Sequence, residues 1–237
     1  GEVMDNQLIE RIVAEIEKRI KKPVLLVLTP APGYRDEIYQ RISHFSTVRA
    51  SIFVTTQAQQ CHDLSQWCHV GDITKADEFD PHRLSAYQAL FIPYFDKKLV
   101  GEIINGLMIS EEGTLIHSAL AKNIPIIALP YFCQPNSEIN EILGLNQNEH
   151  YNLVLKQNIE RLISMGITFC SINEVEDNLK KNAFDHKLKF INKTETKQLN
   201  NNRYITLKQV MSNPEKYQLS QDKLTDSAIE YLKSLKD

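Results

Sequence analysis

Cysteine is scarce, with 4 residues in a chain of 237, and no two of them make a CxxC pair. Cys61, Cys68, Cys133 and Cys170 therefore suggest neither a disulfide framework nor a zinc ribbon. Cys61-His62 and Cys68-His69 are adjacent thiol–imidazole couples, but their spacing matches no common zinc pattern, and no metal site is assigned to them. Glycine numbers only 8, and no GxGxxG occurs, so the dinucleotide fingerprint is missing. No stretch approaches the roughly 20 apolar residues that span a bilayer, which predicts no membrane partner. A surplus of positive charge is also lacking: 27 Lys+Arg against 30 Asp+Glu give a formal net charge of -3, and no basic face stands out for nucleic acid. The N-terminus lacks the basic, apolar, small-residue order of a secretory signal, which predicts a cytoplasmic protein; Gly1-Glu2-Val3 ahead of Met4 is set aside.

What is present is an ordinary globular composition on a chain long enough for one large α/β domain with an appendage. Residues 6–21 carry Leu8, Ile9, Ile12, Val13, Ile16 and Ile20 at helical spacing, which predicts an amphipathic helix. That helix either docks on its own domain or subunit, or is read by a partner groove as a targeting helix. The continuous apolar run 24–28 predicts a central parallel strand, buried on both faces. It leads into Thr29-Pro30-Ala31-Pro32-Gly33 and a helix over residues 35–45. A strand, a tight turn and a helix start suit a phosphate, although two prolines remove donors from the turn. A second strand over 48–54 ends in Thr55-Thr56, whose hydroxyls either bond a phosphate or ribityl chain or cap a helix. A short strand is expected near residues 67–70, and His82 opens a short helix.

The stretch 89–130 reads as two buried strands, 89–92 and 124–129, joined by the polar turn Pro93-Tyr94-Phe95-Asp96-Lys97-Lys98 and one long helical segment containing Asn105-Gly106. Ligands of such folds sit where loops leave the carboxyl ends of the strands, which directs attention to that turn. A loop over 131–136, a helix over 148–165 ended by Gly166, and a short strand at 167–171 follow. From Asn173 the composition turns to Lys and Asn, predicting an exposed linker with one short strand at 188–191. A small terminal unit then holds helices at 206–211 and 225–236 and a strand at 217–219. The expected organisation is an amphipathic helix over 1–22, an α/β domain over 23–172, and a linker with a small unit over 173–237.

Pro93, Asn105-Gly106-Leu107 and Ile124-Pro125-Ile126-Ile127, in this order and spacing, resemble the core of the homo-oligomeric flavin-containing cysteine decarboxylase family, and most of all its branch encoded with bacterial microcompartments. Leu224-Thr225-Asp226-Ser227-Ala228 is similar to the tail of that branch. The resemblance implies a three-layer Rossmann/flavodoxin-like parallel sheet, FMN as cofactor, and a trimer-based homo-oligomer. It implies cofactor contacts from Thr29, Gly33, Thr55, Pro93, Asp96, Lys97, Lys98, Gly106 and Ser110, with the phosphate at the Thr29 turn and Thr55 and the ring against the Pro93 loop. Lys97 or Lys98 would steady a reduced flavin's charge, unless both are simply solvated. His82 lies near the family's active-site histidine and is the catalytic candidate, with a surface or capping role as the plainer alternative.

Two departures bear on function. Tyr94 to Lys98 replace a run of small residues and Asn, and Ile109-Ser110-Glu111, followed by Glu112, replaces a D-N-L element. The first expectation is an FMN flavoprotein in redox or electron transfer, tied to a redox partner or to a microcompartment lumen. The alternatives are a non-catalytic assembly or scaffold protein that kept the fold and lost the flavin site, and a decarboxylase or prenyltransferase-like enzyme.

Overall fold

Val24-Leu25-Leu26-Val27-Leu28 forms strand β1, and in the computed structural model all five residues are buried. An apolar run with no polar alternation suits this place, because a central parallel strand has helices over both of its faces. The structure describes residues 6–12, 23–33, 35–46, 48–181, 205–219 and 224–235. Its compact units are Gly1–Asp185 and His186–Asp237.

In the first unit β1 is followed by α1 (Asp36–Ser43), β2 (Ala50–Val54), α2 (Leu64–Trp67), β3 (Gly71–Lys75) and β4 (Ala89–Phe95). Then come α3 (Lys97–Ile104), α4 (Glu111–Ala121), β5 (Ile126–Pro130), α5 (Glu138–Ile142), α6 (Glu149–Ser164) and β6 (Ile167–Phe169). Residues 6–12 and 175–181 are also helical. The six strands are parallel in the order β3-β2-β1-β4-β5-β6. Alternate side chains serve opposite layers. Leu25, Val27, Leu90 and Ile92 meet Val100, Ile116 and Leu162 of α3, α4 and α6, while Leu26, Leu28, Ile52 and Phe91 meet Ile42 of α1, Trp67 and Leu179. Each such large side chain contributes about 1.5–3 kcal/mol by leaving water. The result is the expected three-layer Rossmann/flavodoxin-like fold.

Several local expectations need correction. Pro93-Tyr94-Phe95 is not a turn: all three are buried in β4, and the ladder to β5 shifts between Ile92 and Phe95, where Pro93 has no N–H to give. The long helix expected after it is two, because Asp96 caps α3 through Leu99 N–H and Ser110 caps α4 through Gly113 N–H. Gly106, at φ 66°, makes the left-handed turn after α3. The strand expected at 67–70 is displaced: Asp63 caps the short helix α2, which ends at Trp67, and the strand is Gly71–Lys75. Packing of the first unit continues beyond Asn173, since Val175 and Leu179 are buried against the sheet.

The second unit holds α7 (Leu207–Ser212) and α8 (Asp226–Ser234), with a parallel bridge between Ile205 and Leu224. Val210, Leu224, Ala228 and Leu232 make its core. Residues 217–219 are not a strand; they follow the 3-10 turn Pro214–Lys216, which Pro214 opens. The expected strand at 188–191 and residues 13–21 of the expected first helix lie outside the described residues.

Candidate functional site at the carboxyl edge of the sheet

Strand order reverses direction between β1 and β4, so the crevice beyond their carboxyl ends is where a fold of this kind takes a ligand. Thr29 follows β1 there, and its hydroxyl donates to the Tyr94 carbonyl at 2.7 Å, joining the two strand ends across the reversal. His62 comes in from the β2 side and donates from Nε2 to the Thr29 carbonyl at 2.8 Å. Burial lowers its pKa from the ordinary 6.5, the Thr29 bond opposes this, and Arg35 adds to the lowering. Tyr94 is fully buried beside His62, with ring centroids 5.1 Å apart, and its hydroxyl donates to the Arg35 carbonyl at 3.0 Å. Burial pushes the Tyr94 phenol far up, and the nearby Tyr131 adds to that. Tyr131, just after β5, crosses edge-on to Tyr94 at 5.6 Å. Its oxygen accepts the Gly33 N–H at 3.1 Å while its O–H donates to the Gly33 carbonyl.

Beyond β2, Thr55 accepts the Ala58 N–H on its hydroxyl at 3.0 Å, which makes it the cap of a short turn. Thr56 donates its N–H at 2.7 Å and its hydroxyl at 2.8 Å to the carboxylate of Glu111, the first residue of α4. Ser110 accompanies it, hydrogen-bonded to Glu102 through both its N–H and its hydroxyl at 2.8 Å. Asp96 and Glu112 both have raised pKa values. Burial is the main cause for each, partly offset at Asp96 by the Leu99 N–H and Lys98, and reinforced at Glu112 by Glu102, Asp96 and Glu111.

Thr29, Gly33, Thr55, Asp96 and Ser110 thus gather at this edge, although each already has a partner within the chain. Pro93 is inside β4. Lys98 is exposed, and Lys97 points its Nζ at the Tyr151 ring, 6.0 Å from the centroid. Gly106 lies at the exposed end of α3. His82 is exposed in the 3-10 turn Pro81–Ala86 that leads to the amino end of β4, its N–H bound to Asp80. The residues that sequence reasoning missed are His62, weighed only as a metal ligand, and Tyr131, read only as part of a loop.

No family model and no curated protein matches this chain. Solved structures do. MrsD from Bacillus sp. HIL-Y85/54728 aligns over 69% of this chain and 96% of its own, at 14% identity and a TM-score of 0.52. The apo form of Burkholderia xenovorans DmrB, described as a cubic protein cage for redox transfer, aligns over 70% and 95% at 13% identity and 0.51. The FMN-dependent cysteine decarboxylase TvaF of thioviridamide biosynthesis aligns over 68% and 97% at 14% identity and 0.50. This likeness shows the fold. The DmrB structure is also known in complex with FMN.

Whether the residues here suit FMN turns on the donor set. The Gly33 N–H is engaged by Tyr131, the Thr29 hydroxyl by Tyr94, and both Thr56 donors by a carboxylate. Pro30 and Pro32 carry no N–H, whereas Arg35 brings a cation to the same turn, donating to the Ala31 carbonyl at 3.0 Å. An FMN phosphate at this edge would have to displace these internal partners.

Proposed function

We propose that this chain is a non-catalytic assembly or scaffold protein, a homo-oligomer that keeps a flavoprotein-like fold while its carboxyl-edge groups hold the protein itself together. The observation that carries this reading is the Thr56–Glu111 contact: an internal carboxylate takes both the backbone and the hydroxyl donor of Thr56 just beyond β2. The test is an absorbance spectrum between about 350 and 500 nm, the flavin range, of protein as purified, followed by titration with FMN. A colourless protein whose added FMN keeps the fluorescence of free flavin is expected; stoichiometric yellow protein would sink the proposal.

A second reading, an FMN flavoprotein in redox or electron transfer, draws on the exposure of Glu111 and Thr56. Two exposed hydrogen bonds together hold that carboxylate by only about 1–3 kcal/mol, which a phosphate could overcome. Under that reading Glu111→Ala strengthens FMN binding, whereas under the first it leaves the protein colourless. A trimer-based assembly and a link to a microcompartment belong to either reading. For the latter, Leu8, Ile9 and Ile12, exposed on the helical residues 6–12, offer an apolar stripe to a partner groove. Co-purification with shell proteins, lost on deleting residues 6–12, would test that link.

A further inference from the structure

The chain leaving β1 is held to the carboxyl edge by three aromatic side chains that come from three other places in the fold. His62, beyond β2, donates from Nε2 to the Thr29 carbonyl at 2.8 Å. Tyr94 of β4 donates to the Arg35 carbonyl at 3.0 Å, and Tyr131, just after β5, serves both the N–H and the carbonyl of Gly33. Between these points the segment can do little for itself, because Pro30 and Pro32 have no N–H to give. Arg35 adds a tie from its guanidinium to the Ala31 carbonyl, at 3.0 Å.

Of the three rings only one changes its charge in mild acid. Burial pushes the Tyr94 and Tyr131 phenols up, away from the neutral range, whereas the His62 imidazole takes its proton below the ordinary 6.5. That ring is 7% exposed and packs on Tyr94 and Trp67, with centroids 5.1 Å and 6.1 Å away. A proton there strengthens the bond to Thr29, but it buries a charge and sets a second cation beside Arg35. Arg35 belongs to the held segment, so the repulsion acts on the segment itself. The other titratable groups around the cluster do not reverse this. Asp36 lies near Tyr94, Asp96 and the Cys61 thiol lie near Tyr131, and Asp63 is exposed with its carboxylate on the Ser65 N–H at 3.0 Å; the net effect at His62 is still a lowering.

We propose that this segment is a proton-operated latch: when His62 is protonated, residues 29–33 come free of the carboxyl edge while the six-stranded sheet stays folded. The opening bares the Gly33 N–H that Tyr131 otherwise occupies. Every part of the latch belongs to the chain, so a scaffold and a flavoprotein would both carry it. The test is amide hydrogen exchange of the full chain by NMR at about pH 7.5 and 5.5, on either side of the ordinary imidazole value, corrected for the intrinsic effect of pH on exchange. Opening at Gly33 should rise in acid by at least about threefold, and by no more than about tenfold per pH unit, the limit for one proton, with Leu26 of β1 still protected. His62→Gln keeps a donor for the Thr29 carbonyl but takes no proton, and should abolish the rise. Arg35→Gln removes the repelling cation, so the His62 ring signals should titrate at higher pH and the rise should shrink. These two readings decide the matter even if His62→Gln does not fold. A wild-type His62 that titrates at or above 6.5, a Gly33 amide that gains no opening in acid or gains it together with Leu26, or an undiminished rise in folded His62→Gln would each overturn the proposal.

Discussion

Glu102 binds Ser110 twice, Oε1 accepting the backbone N–H and Oε2 the hydroxyl, each at 2.8 Å, and Oε1 also takes the Ile109 N–H at 2.8 Å. One carboxylate on α3 thereby fixes the cap of α4 and, through it, the position of Glu111. Burial raises its pKa, but the hydrogen bonds from Ser110 and Ile109 prevail, and the net is below the usual 4.5. A depressed carboxylate stabilises above the unfolded value, and that contribution disappears as pH falls through the lower folded value. Glu102→Ala should cost about 1–2 kcal/mol at neutral pH, a figure discounted for solvent access, and nothing further in strong acid. Denaturant melts at two pH values measure it.

Gly113 offers a second test of the same contact. A Cβ there would lie 1.9 Å from Glu102 Oε1, so Gly113→Ala must expel the carboxylate and should destabilise the wild-type background. In a Glu102→Ala background only Ser110 Oγ, 2.9 Å from that Cβ, is left in the way, so the same substitution should cost clearly less there than in the wild type. The double-mutant cycle reads the difference, and additivity would show that the two residues do not meet.

Tyr131→Phe keeps the ring that crosses Tyr94 but removes the oxygen that serves both backbone groups of Gly33. We expect a loss of about 1–3 kcal/mol, or about 2–4 °C in Tm for each kcal/mol, with faster hydrogen exchange at Gly33. An unchanged exchange rate would mean that Tyr131 does not hold the loop.

His62 predicts how stability responds to mild acid. Its folded pKa is below the ordinary 6.5, so between the two values the unfolded chain binds more protons, and stability falls as pH drops below about 6.5. The Thr29 carbonyl needs only the Nε2–H, which His62→Gln can replace with an amide donor. That variant should have a flatter stability profile below about pH 6.5 than the wild type. Parallel profiles would remove His62 as the cause. Asp96 and Glu112, whose values are raised, act in the opposite sense just above the normal carboxylate range, so the comparison must be with wild type rather than with a flat line.

Strands were legible wherever burial on both faces left no polar alternation, as at Val24–Leu28 and Ile126–Pro130. β3 was misplaced because Gly71-Asp72-Ile73-Thr74-Lys75 sits at the sheet edge, where none of its residues is buried and no apolar run forms. Pro93 read as a strand end because a proline usually is one, whereas here the ladder shifts around it. The division into α3 and α4 did have a local signal, since Asp96-Lys97 and Ser110-Glu111-Glu112 are capping sequences. No local signal exists for the contacts that close the candidate site. Tyr131 is 98 residues from Gly33, and Glu111 is 55 from Thr56, so only the strand order brings them together.

The turn between α3 and α4 bears on assembly. Leu107, Met108 and Ile109 are 45%, 64% and 80% exposed, three consecutive apolar side chains held outward because their C-terminal end is tied to Glu102. A run of this kind on a fixed turn costs solubility unless another surface covers it. Since the proposed function is an assembly, the expected cover is a second copy of the chain. Met108→Lys with Ile109→Lys leaves the Ile109 N–H bond to Glu102 intact, because the backbone makes it, so folding should be unaffected. Light scattering on a sizing column should show the wild type as an oligomer and the double variant as smaller species with an unchanged far-ultraviolet spectrum. A wild-type monomer, or a variant of undiminished mass, would place this turn outside any subunit contact.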